Sequence, residues 1–301
     1  MRGSSHPWLL TSLMLAMLGA GCEPDPSASA FGDQITDAGS GGGDGAVALD
    51  GAASGTTPYT GAWALATDWS VCVTIGDQRI ETRSRKLLLV TMTRKGNRIL
   101  ERRQVCQLQL TPIFSLKTVV PDVVLQAVPV LEVESRVLGE GSEEVAYAGG
   151  IEAQLMGLSM GNPVYDEMPT KDQPSDPRLT DPEADGHPGA TFVVGAGCEL
   201  YVAQREVSSL AGRLVSVDRF EGTGVHATEQ VVFGSSKAVC GQTFKTFSNT
   251  PHHRFVLQRM NVAAWDDDKS GAVDCTELMA HQTELVTWAT PDDSRCPKVA
   301  L

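Results

Sequence analysis

Short runs rich in Val, Thr, Leu and Phe recur between residues 59 and 260 and constrain the fold more than any other feature of the chain. Gly, Asn, Asp and Pro separate these runs, a pattern typical of strands joined by turns. The candidate strands span residues 63–75, 86–94, 99–109, 191–194, 198–205, 213–220, 225–233 and 255–260. We therefore predict that residues 59–260 form a mainly β domain, either an antiparallel barrel or a sandwich.

Local segments add detail to this prediction. Lys95-Gly-Asn-Arg98 lies between two candidate strands and predicts a hairpin turn. Residues 119–133 fit either a strand pair or a short helix, and residues 151–156 are compatible with a strand.

A few residues of the β domain resemble the lipocalin family. Gly61-Ala-Trp63 opens the first candidate strand, Arg259 lies on the last one, and a helix is predicted near the C-terminus. The resemblance implies a lipocalin-like barrel, while packing of Trp63 in any β core explains the same residues equally well. A jelly-roll or immunoglobulin-like sandwich is the alternative architecture.

The strongest functional motif is the acidic segment Asp-Asp-Asp-Lys-Ser-Gly-Ala-Val-Asp-Cys-Thr-Glu at residues 266–277. A hard divalent cation binds about six to eight oxygens in a loop that turns sharply. The segment resembles the calcium loop of the EF-hand family, with Gly271 at the sharp turn. The resemblance implies calcium ligands at Asp266, Asp268, Ser270, Ala272 (through its carbonyl), Asp274 and Glu277.

The residues around this loop fit the EF-hand family on one side only. Residues 275–289 predict the exiting helix, with Leu278 and Leu285 on its apolar face and Pro291 beyond its end. Residues 254–260 predict a strand where the family has an entering helix. We predict that residues 261–301 form a calcium loop and a C-terminal helix packed on the β domain.

A second acidic loop at residues 181–189 is a candidate further ion site. Asp181, Glu183 and Asp185 alternate ahead of Gly186, but Phe192 stands where an EF-hand loop has its final acid. An ion site and an acidic, proline-rich turn without an ion fit this segment equally.

The N-terminus indicates export. Arg2 precedes an apolar run, residues 8–18, that is too short to span a bilayer, and Gly19-Ala-Gly-Cys22 follows. Together these residues resemble the signal of a bacterial lipoprotein. The resemblance implies that residues 1–21 are a signal peptide and that lipidated Cys22 anchors the chain to the outer membrane, the cell surface or the periplasmic face of the envelope. Residues 22–58 have the Gly, Ala, Ser and Asp content of a flexible tether.

The cysteine content agrees with export. Six cysteines remain beside Cys22, and an even number in an oxidising compartment favours disulfides. Pairing of nearest neighbours predicts the bonds Cys72–Cys106, Cys198–Cys240 and Cys275–Cys296. A zinc site is disfavoured because the chain has no CxxC pair.

The formal net charge of -13 argues against nucleic acid and anionic membrane surfaces as partners. It is compatible with binding of calcium ions.

One motif suggests catalysis. Gly157-Leu-Ser-Met-Gly161 matches a nucleophile elbow at Ser159, but the proline-rich residues that follow cannot form the helix that this motif requires. No pair of carboxylates stands out either, so we predict no catalytic residue.

These observations predict a lipid-anchored, exported calcium-binding protein of the bacterial envelope, in which calcium has a mainly structural role. The protein or small-molecule partner is not indicated by the sequence. One alternative is a lipocalin-like carrier of a small apolar ligand. The other is an exported hydrolase that uses Ser159 or a pair of carboxylates.

Overall fold

The computed structural model describes residues 58–75, 77–140, 144–195, 197–238 and 245–296, which belong to one compact unit. The predicted signal peptide, Cys22 and the tether up to residue 57 lie outside the described residues, as does Cys240. The predicted bond between Cys198 and Cys240 therefore has one end outside them, although Cys198 itself is disulfide-bonded.

The described residues form a 12-stranded antiparallel sheet with a few short helices. The strands are β1 (Gly61–Ile75), β2 (Gln78–Lys95), β3 (Arg98–Leu110), β4 (Thr118–Val119), β5 (Leu131–Leu138), β6 (Ala146–Ala148), β7 (Glu152–Met156), β8 (Ala190–Val194), β9 (Cys198–Ser216), β10 (Arg219–Ser235), β11 (Lys245–Ser248) and β12 (Arg254–Arg259). The helices are α1 (Asp122–Ala127), α2 (Val262–Trp265), α3 (Cys275–Ala280) and α4 (Gln282–Leu285), with 3-10 turns at Thr250–His252 and Asp293–Arg295. The predicted mainly β, antiparallel fold is confirmed.

Pairing between neighbouring strands returns to its starting point and closes a ring. The ring runs through β1, β2, β3, β5, β6, β9, β10 and β12, and β12 pairs with β1 again. Its strands follow one another in chain order, which is the topology of an up-and-down barrel. Of the two predicted architectures, the pairing matches the barrel.

The turns explain where the strand predictions succeeded and failed. The hairpin prediction is confirmed, because Lys95 pairs with Arg98 across a turn in which Gly96 has a φ of +65°. A separate strand over residues 213–220 is wrong, because the β9–β10 turn lies inside it, between Ser216 and Arg219. Residues 119–133 form the short helix α1 and then the start of β5, which pairs with β3, so the alternative of a strand pair is wrong.

Side chains along β1 alternate between two hydrophobic cores, one inside the barrel and one outside it. Trp63, Leu65 and Trp69 point into the barrel and belong to its interior core. Ala64 and Ala66 face outward and are buried beneath residues 262–296, which we call the C-terminal segment. We call the apolar cluster between this segment and the barrel the outer core. The C-terminal segment supplies Trp265, Val273, Leu278 and Leu285 to this outer core. Residues one apart on a strand face opposite sides, so one strand serves both cores.

The two residues that suggested a lipocalin-like barrel meet in the structure. Trp63 and Arg259 are directly opposed on β1 and β12. The Arg259 guanidinium lies 4.8 Å from the centroid of the Trp63 ring and donates to the Thr60 carbonyl oxygen at 2.7 Å. This contact fastens the start of β1 to the last strand of the ring.

Two disulfides join the barrel to the C-terminal segment. Cys72 is bonded to Cys296 and Cys106 to Cys275, so the predicted pairs Cys72–Cys106 and Cys275–Cys296 are wrong. Cys72 lies on β1 and Cys106 on β3, with β2 between them. Two strand spacings of about 4.8 Å each exceed the Cα separation that a disulfide can bridge.

No helix among the described residues is long and apolar enough to cross a membrane.

Candidate metal centre

The acidic loop, residues 266–277, lies between two short helices on the outside of the barrel. Residues 254–259 form β12, as predicted, and α2 provides only one helical turn before the loop. Trp265 of α2 is buried in the outer core. Packing on the barrel therefore positions this loop. In a full EF-hand, a long entering helix has that role.

The exiting helix is shorter than predicted. The sequence suggested a helix over residues 275–289, but α3 ends at Ala280, α4 ends at Leu285 and Val286 is extended. The backbone N–H of Ala289 donates to the Asp68 carboxylate at 3.0 Å, and Arg85 donates to the Ala289 carbonyl oxygen at 2.6 Å. These bonds to the barrel hold the chain extended there.

The first half of the loop folds around the carboxylate of Asp266. It accepts hydrogen bonds from the backbone N–H groups of Ser270 and Gly271, both at 2.8 Å. Asp268 accepts from the Ser270 N–H at 2.9 Å. Gly271 has a φ of +91°, a region that glycine adopts at little cost. Gly271, the sixth residue of the loop, therefore allows the sharp turn.

Glu277 closes the second half of the loop. Its Oε1 accepts from the N–H groups of Asp267 at 2.6 Å and Asp268 at 3.2 Å. Its Oε2 accepts from the Asp274 N–H at 2.9 Å, and Asp274 accepts from the Glu277 N–H at 2.9 Å. This reciprocal pair is a capping box that begins α3.

Three of the predicted ligands converge. Carboxylate oxygens of Asp266, Asp268 and Glu277 lie within 4.8 Å of one another. Like charges at this range repel, and a bound cation relieves that repulsion. An all-oxygen donor set suits a hard divalent ion, so the residues fit a metal site, although the three groups alone do not distinguish calcium from other such ions.

The other predicted ligands lie in the loop but outside this triad. The Ser270 hydroxyl donates to the Ala272 carbonyl oxygen at 2.9 Å, and Asp274 is engaged as the helix cap. Hydrogen bonds from Ser270 lower the pKa of Asp268, with the backbone N–H as the largest cause. Asp268 is therefore ionised at neutral pH.

The second candidate loop is arranged differently. Asp181 accepts from the N–H groups of Asp185 at 3.1 Å and Gly186 at 2.8 Å. Glu183 accepts from the Thr191 N–H at 2.8 Å, and Asp185 accepts from the Thr191 hydroxyl at 2.7 Å. Within the part of the chain that the structure describes, only the triad at Asp266, Asp268 and Glu277 brings three such groups together.

Ser159 lies in irregular backbone. Its N–H donates to the Arg178 carbonyl oxygen at 2.8 Å, and its side chain is exposed. No helix follows it before β8 in the described residues, so the strand–turn–helix geometry of a nucleophile elbow does not form.

A second group of polar and charged side chains, inside the barrel, was missed by the sequence analysis. We call it the interior polar belt, and it consists of Lys86, Glu101, Arg103, Tyr147, Glu152, Gln154, Glu206 and His226. In one half, Arg103 forms ion pairs with Glu101 at 2.7 Å and Glu152 at 2.8 Å.

The other half of the belt centres on Lys86. It donates to Gln154 Oε1 at 2.9 Å and forms an ion pair with Glu206, whose other oxygen lies 3.5 Å from His226 Nε2. Burial raises the pKa of Glu206, but its electrostatic and hydrogen-bond interactions with Lys86 and His226 outweigh burial and lower this pKa overall. Glu206 is therefore ionised inside the barrel.

A pattern in the sequence could have revealed part of this belt. Ile99 and Val105 are interior apolar residues of β3. Glu101 and Arg103 lie between them at the same alternation. Because side chains alternate with a period of two, these charged residues share the interior face.

Comparison with known proteins gives no match. The chain matches no protein-family model, no curated protein and no solved structure.

Proposed function

We propose that this protein is an exported component of the bacterial cell envelope whose C-terminal loop binds calcium. The main support is the convergence of Asp266, Asp268 and Glu277 in a loop whose order of ligand types resembles an EF-hand. Most residues of the loop are exposed, and calcium tolerates flexible oxygen cages better than magnesium does. A single exported loop of this kind is expected to bind with a Kd of roughly 10⁻⁴–10⁻³ M.

The proposed role of the ion is structural. The loop leads into α3, which begins at the disulfide-bonded Cys275 and buries Leu278 against the barrel. Neutralising the carboxylates would hold this segment in place. The disulfides are typical of an oxidising compartment, where calcium is plentiful, and so they support export.

We expect calcium to raise the melting temperature of the protein. At about 10 mM calcium, the expected Kd corresponds to roughly 1.4–2.7 kcal/mol of added stability. For a chain of this size that is a shift of roughly 3–10 °C. Glu277→Gln should remove most of the shift.

The control for this experiment is Asp267→Asn. It removes the same charge from the same loop, but Asp267 is not part of the converging triad. The calcium-dependent shift is the quantity to compare, because Glu277 also caps α3 and its loss lowers stability without calcium. A parent protein whose melting curve ignores calcium would contradict the proposal.

The membrane anchor is proposed from the lipoprotein-like residues around Cys22. We expect Cys22→Ser to move the protein from the membrane fraction to the soluble fraction of the host cells. Ala28→Ser is a control that leaves the predicted lipidation site intact. A Cys22→Ser protein that still sediments with membranes would refute the anchor.

The two alternative functions have less support. An apolar carrier needs an apolar interior, whereas this barrel contains the interior polar belt. A hydrolase at Ser159 needs a base, and no histidine of the described residues hydrogen-bonds to that side chain.

A further inference from the structure

Near Lys86, four polar side chains inside the barrel have atoms without a protein partner. Among the described residues, Thr67 Oγ1, Trp69 Nε1, Gln154 Nε2 and His226 Nδ1 are buried and make no hydrogen bond. Each of these residues is at most 4 % exposed. Buried polar groups in proteins are nearly always hydrogen-bonded, so four exceptions require a common explanation.

These four side chains belong to one neighbourhood around Lys86. Thr67 is opposite Lys86 in the β1–β2 register, and Lys86 donates to Gln154 Oε1 at 2.9 Å. The Trp69 and His226 rings are stacked with centroids 5.3 Å apart. His226 in turn lies 3.5 Å from Glu206, the ion-pair partner of Lys86.

The unsatisfied groups include two fixed donors. Indole nitrogen only donates. Gln154 uses its oxygen to accept from Lys86, which leaves its NH₂ group unused. The Thr67 hydroxyl can also donate. A hydrogen-bond acceptor is therefore the complementary group, and the carboxylates of Glu206 and Glu152 nearby disfavour an anionic one.

Strand pairing in the barrel wall is interrupted beside this neighbourhood, and α1 covers the interrupted part, which we call the opening. Among the described residues, β3 pairs with β5 only as far as Arg103, although β3 continues to Leu110. β7, which carries Gln154, pairs with β9 alone. Between the end of β3 and β7 lies α1, which contacts both strands and buries Val124 and Leu125 in the interior core.

We propose that the barrel contains a binding site for a small, neutral carbonyl compound, whose oxygen accepts hydrogen bonds from Trp69 and Gln154. The apolar part of the ligand packs against the neighbouring interior core. The ligand passes between β3 and β7 when α1 moves aside. This site is separate from the acidic loop, so the two proposals stand or fall independently.

The probe for this site is cyclohexanone, titrated into the intact, disulfide-bonded protein. The indole N–H signal of Trp69 in proton–nitrogen correlation spectra reports hydrogen bonding and is assigned by its loss in Trp69→Phe. We expect saturable binding that shifts this signal. Methylenecyclohexane, which has the same shape and no acceptor, loses both hydrogen bonds and should bind more than about fivefold more weakly, since each bond contributes about fivefold.

Two variants test the named donors. Trp69→Phe keeps an aromatic ring against His226 without the N–H, and Gln154→Glu keeps the shape and gives Lys86 an acceptor. Each should weaken cyclohexanone binding about fivefold. Trp63→Phe is the matched control, because the Trp63 indole is also buried and its N–H has no partner, but its ring packs against Phe220 and Arg259. It should leave the affinity unchanged.

Several outcomes would overturn the proposal. Absence of saturable cyclohexanone binding would mean that the four atoms are served by ordered water. Equal affinity for methylenecyclohexane, or unchanged affinity in both donor variants that remain folded by circular dichroism, would show that Trp69 and Gln154 do not hold the oxygen.

The route past α1 is tested by Val124→Ala. This variant shortens a buried side chain of the helix that covers the opening and should speed exchange of the probe. An unchanged exchange rate would overturn the route past α1.

Discussion

At the scale of single residues, Glu277 both shapes the acidic loop and contributes to the converging triad. Its carboxylate accepts hydrogen bonds from the N–H groups of Asp267, Asp268 and Asp274, so it organises the loop before any ion binds. One oxygen of the same carboxylate belongs to the converging triad. A loop that is already shaped by its own backbone loses less conformational entropy when an ion binds. Preorganisation by Glu277 is therefore part of the proposed calcium affinity.

His253 is a buried residue whose titration affects stability. It is fully buried, with Nδ1 2.9 Å from the Gly224 carbonyl oxygen and Nε2 3.2 Å from the Ser248 hydroxyl. Burial, the largest cause, lowers the pKa of His253 from 6.5 to about 4. The folded protein thus holds the ring neutral at pH values where the unfolded chain protonates it.

This difference predicts acid sensitivity. The contribution of His253 is complete above about pH 6.5 and is lost as the pH falls toward 4, by up to about 3 kcal/mol. Urea unfolding at several pH values measures it. Stability should fall less steeply with acid in His253→Gln than in the parent, while His252→Gln should follow the parent. Equal slopes in the parent and His253→Gln would refute this assignment.

At the scale of elements, the acidic loop is held between α2 and α3, and the disulfide Cys106–Cys275 fixes the first residue of α3 to β3. The other disulfide, Cys72–Cys296, ties down the chain after α4. Only the first bond adjoins the proposed ion ligands. The two bonds should therefore affect stability alike and calcium binding differently.

We expect the double substitution of Cys106 and Cys275 by serine to weaken calcium binding roughly three- to tenfold, because the end of the loop becomes less preorganised. Substitution of Cys72 and Cys296 by serine should leave the calcium affinity near that of the parent. Both variants should lose several kcal/mol of stability, about 5 kcal/mol at most by the chain-entropy relation for loops of this length. Equal effects of the two pairs on calcium affinity would contradict the model of a locally fixed loop.

Features that depend on local interactions could be predicted from the sequence, whereas features that depend on contacts between distant residues could not. The turn at Gly271 and the order of carboxylates are local, so the loop could be recognised from residues 266–277 alone. The pairing of Cys106 with Cys275 depends on which strand underlies α3, which no local pattern specifies. The early end of the exiting helix has the same cause, because Ala289 is held by Asp68 of β1.

The interior polar belt was missed for a related reason. Lys86, Gln154 and Glu206 come from β2, β7 and β9, and their contacts exist only once the ring of strands closes. Alternation could place single residues inside, but it does not show which charges face each other.

At the scale of the whole molecule, the described residues form a closed ring of strands with residues 262–296 fastened to the outside. The outer core joins this segment to β1, β2 and β12. Glu81 of β2 also holds this segment through polar contacts. It accepts a hydrogen bond from the Asp292 N–H at 2.5 Å, and its carboxylate lies 3.4 Å from the Arg295 guanidinium. The acidic loop is the part of this segment that carries the most concentrated negative charge, in a chain whose formal net charge is -13.

Equilibrium dialysis of the intact, disulfide-bonded protein against calcium measures the central claim directly. We predict uptake of about one calcium ion per chain with a Kd of roughly 10⁻⁴–10⁻³ M. Asp266→Asn combined with Glu277→Gln should abolish this uptake, whereas Asp181→Asn combined with Asp185→Asn should preserve it. No calcium uptake by the parent protein, or uptake that survives the loss of Asp266 and Glu277, would contradict the account.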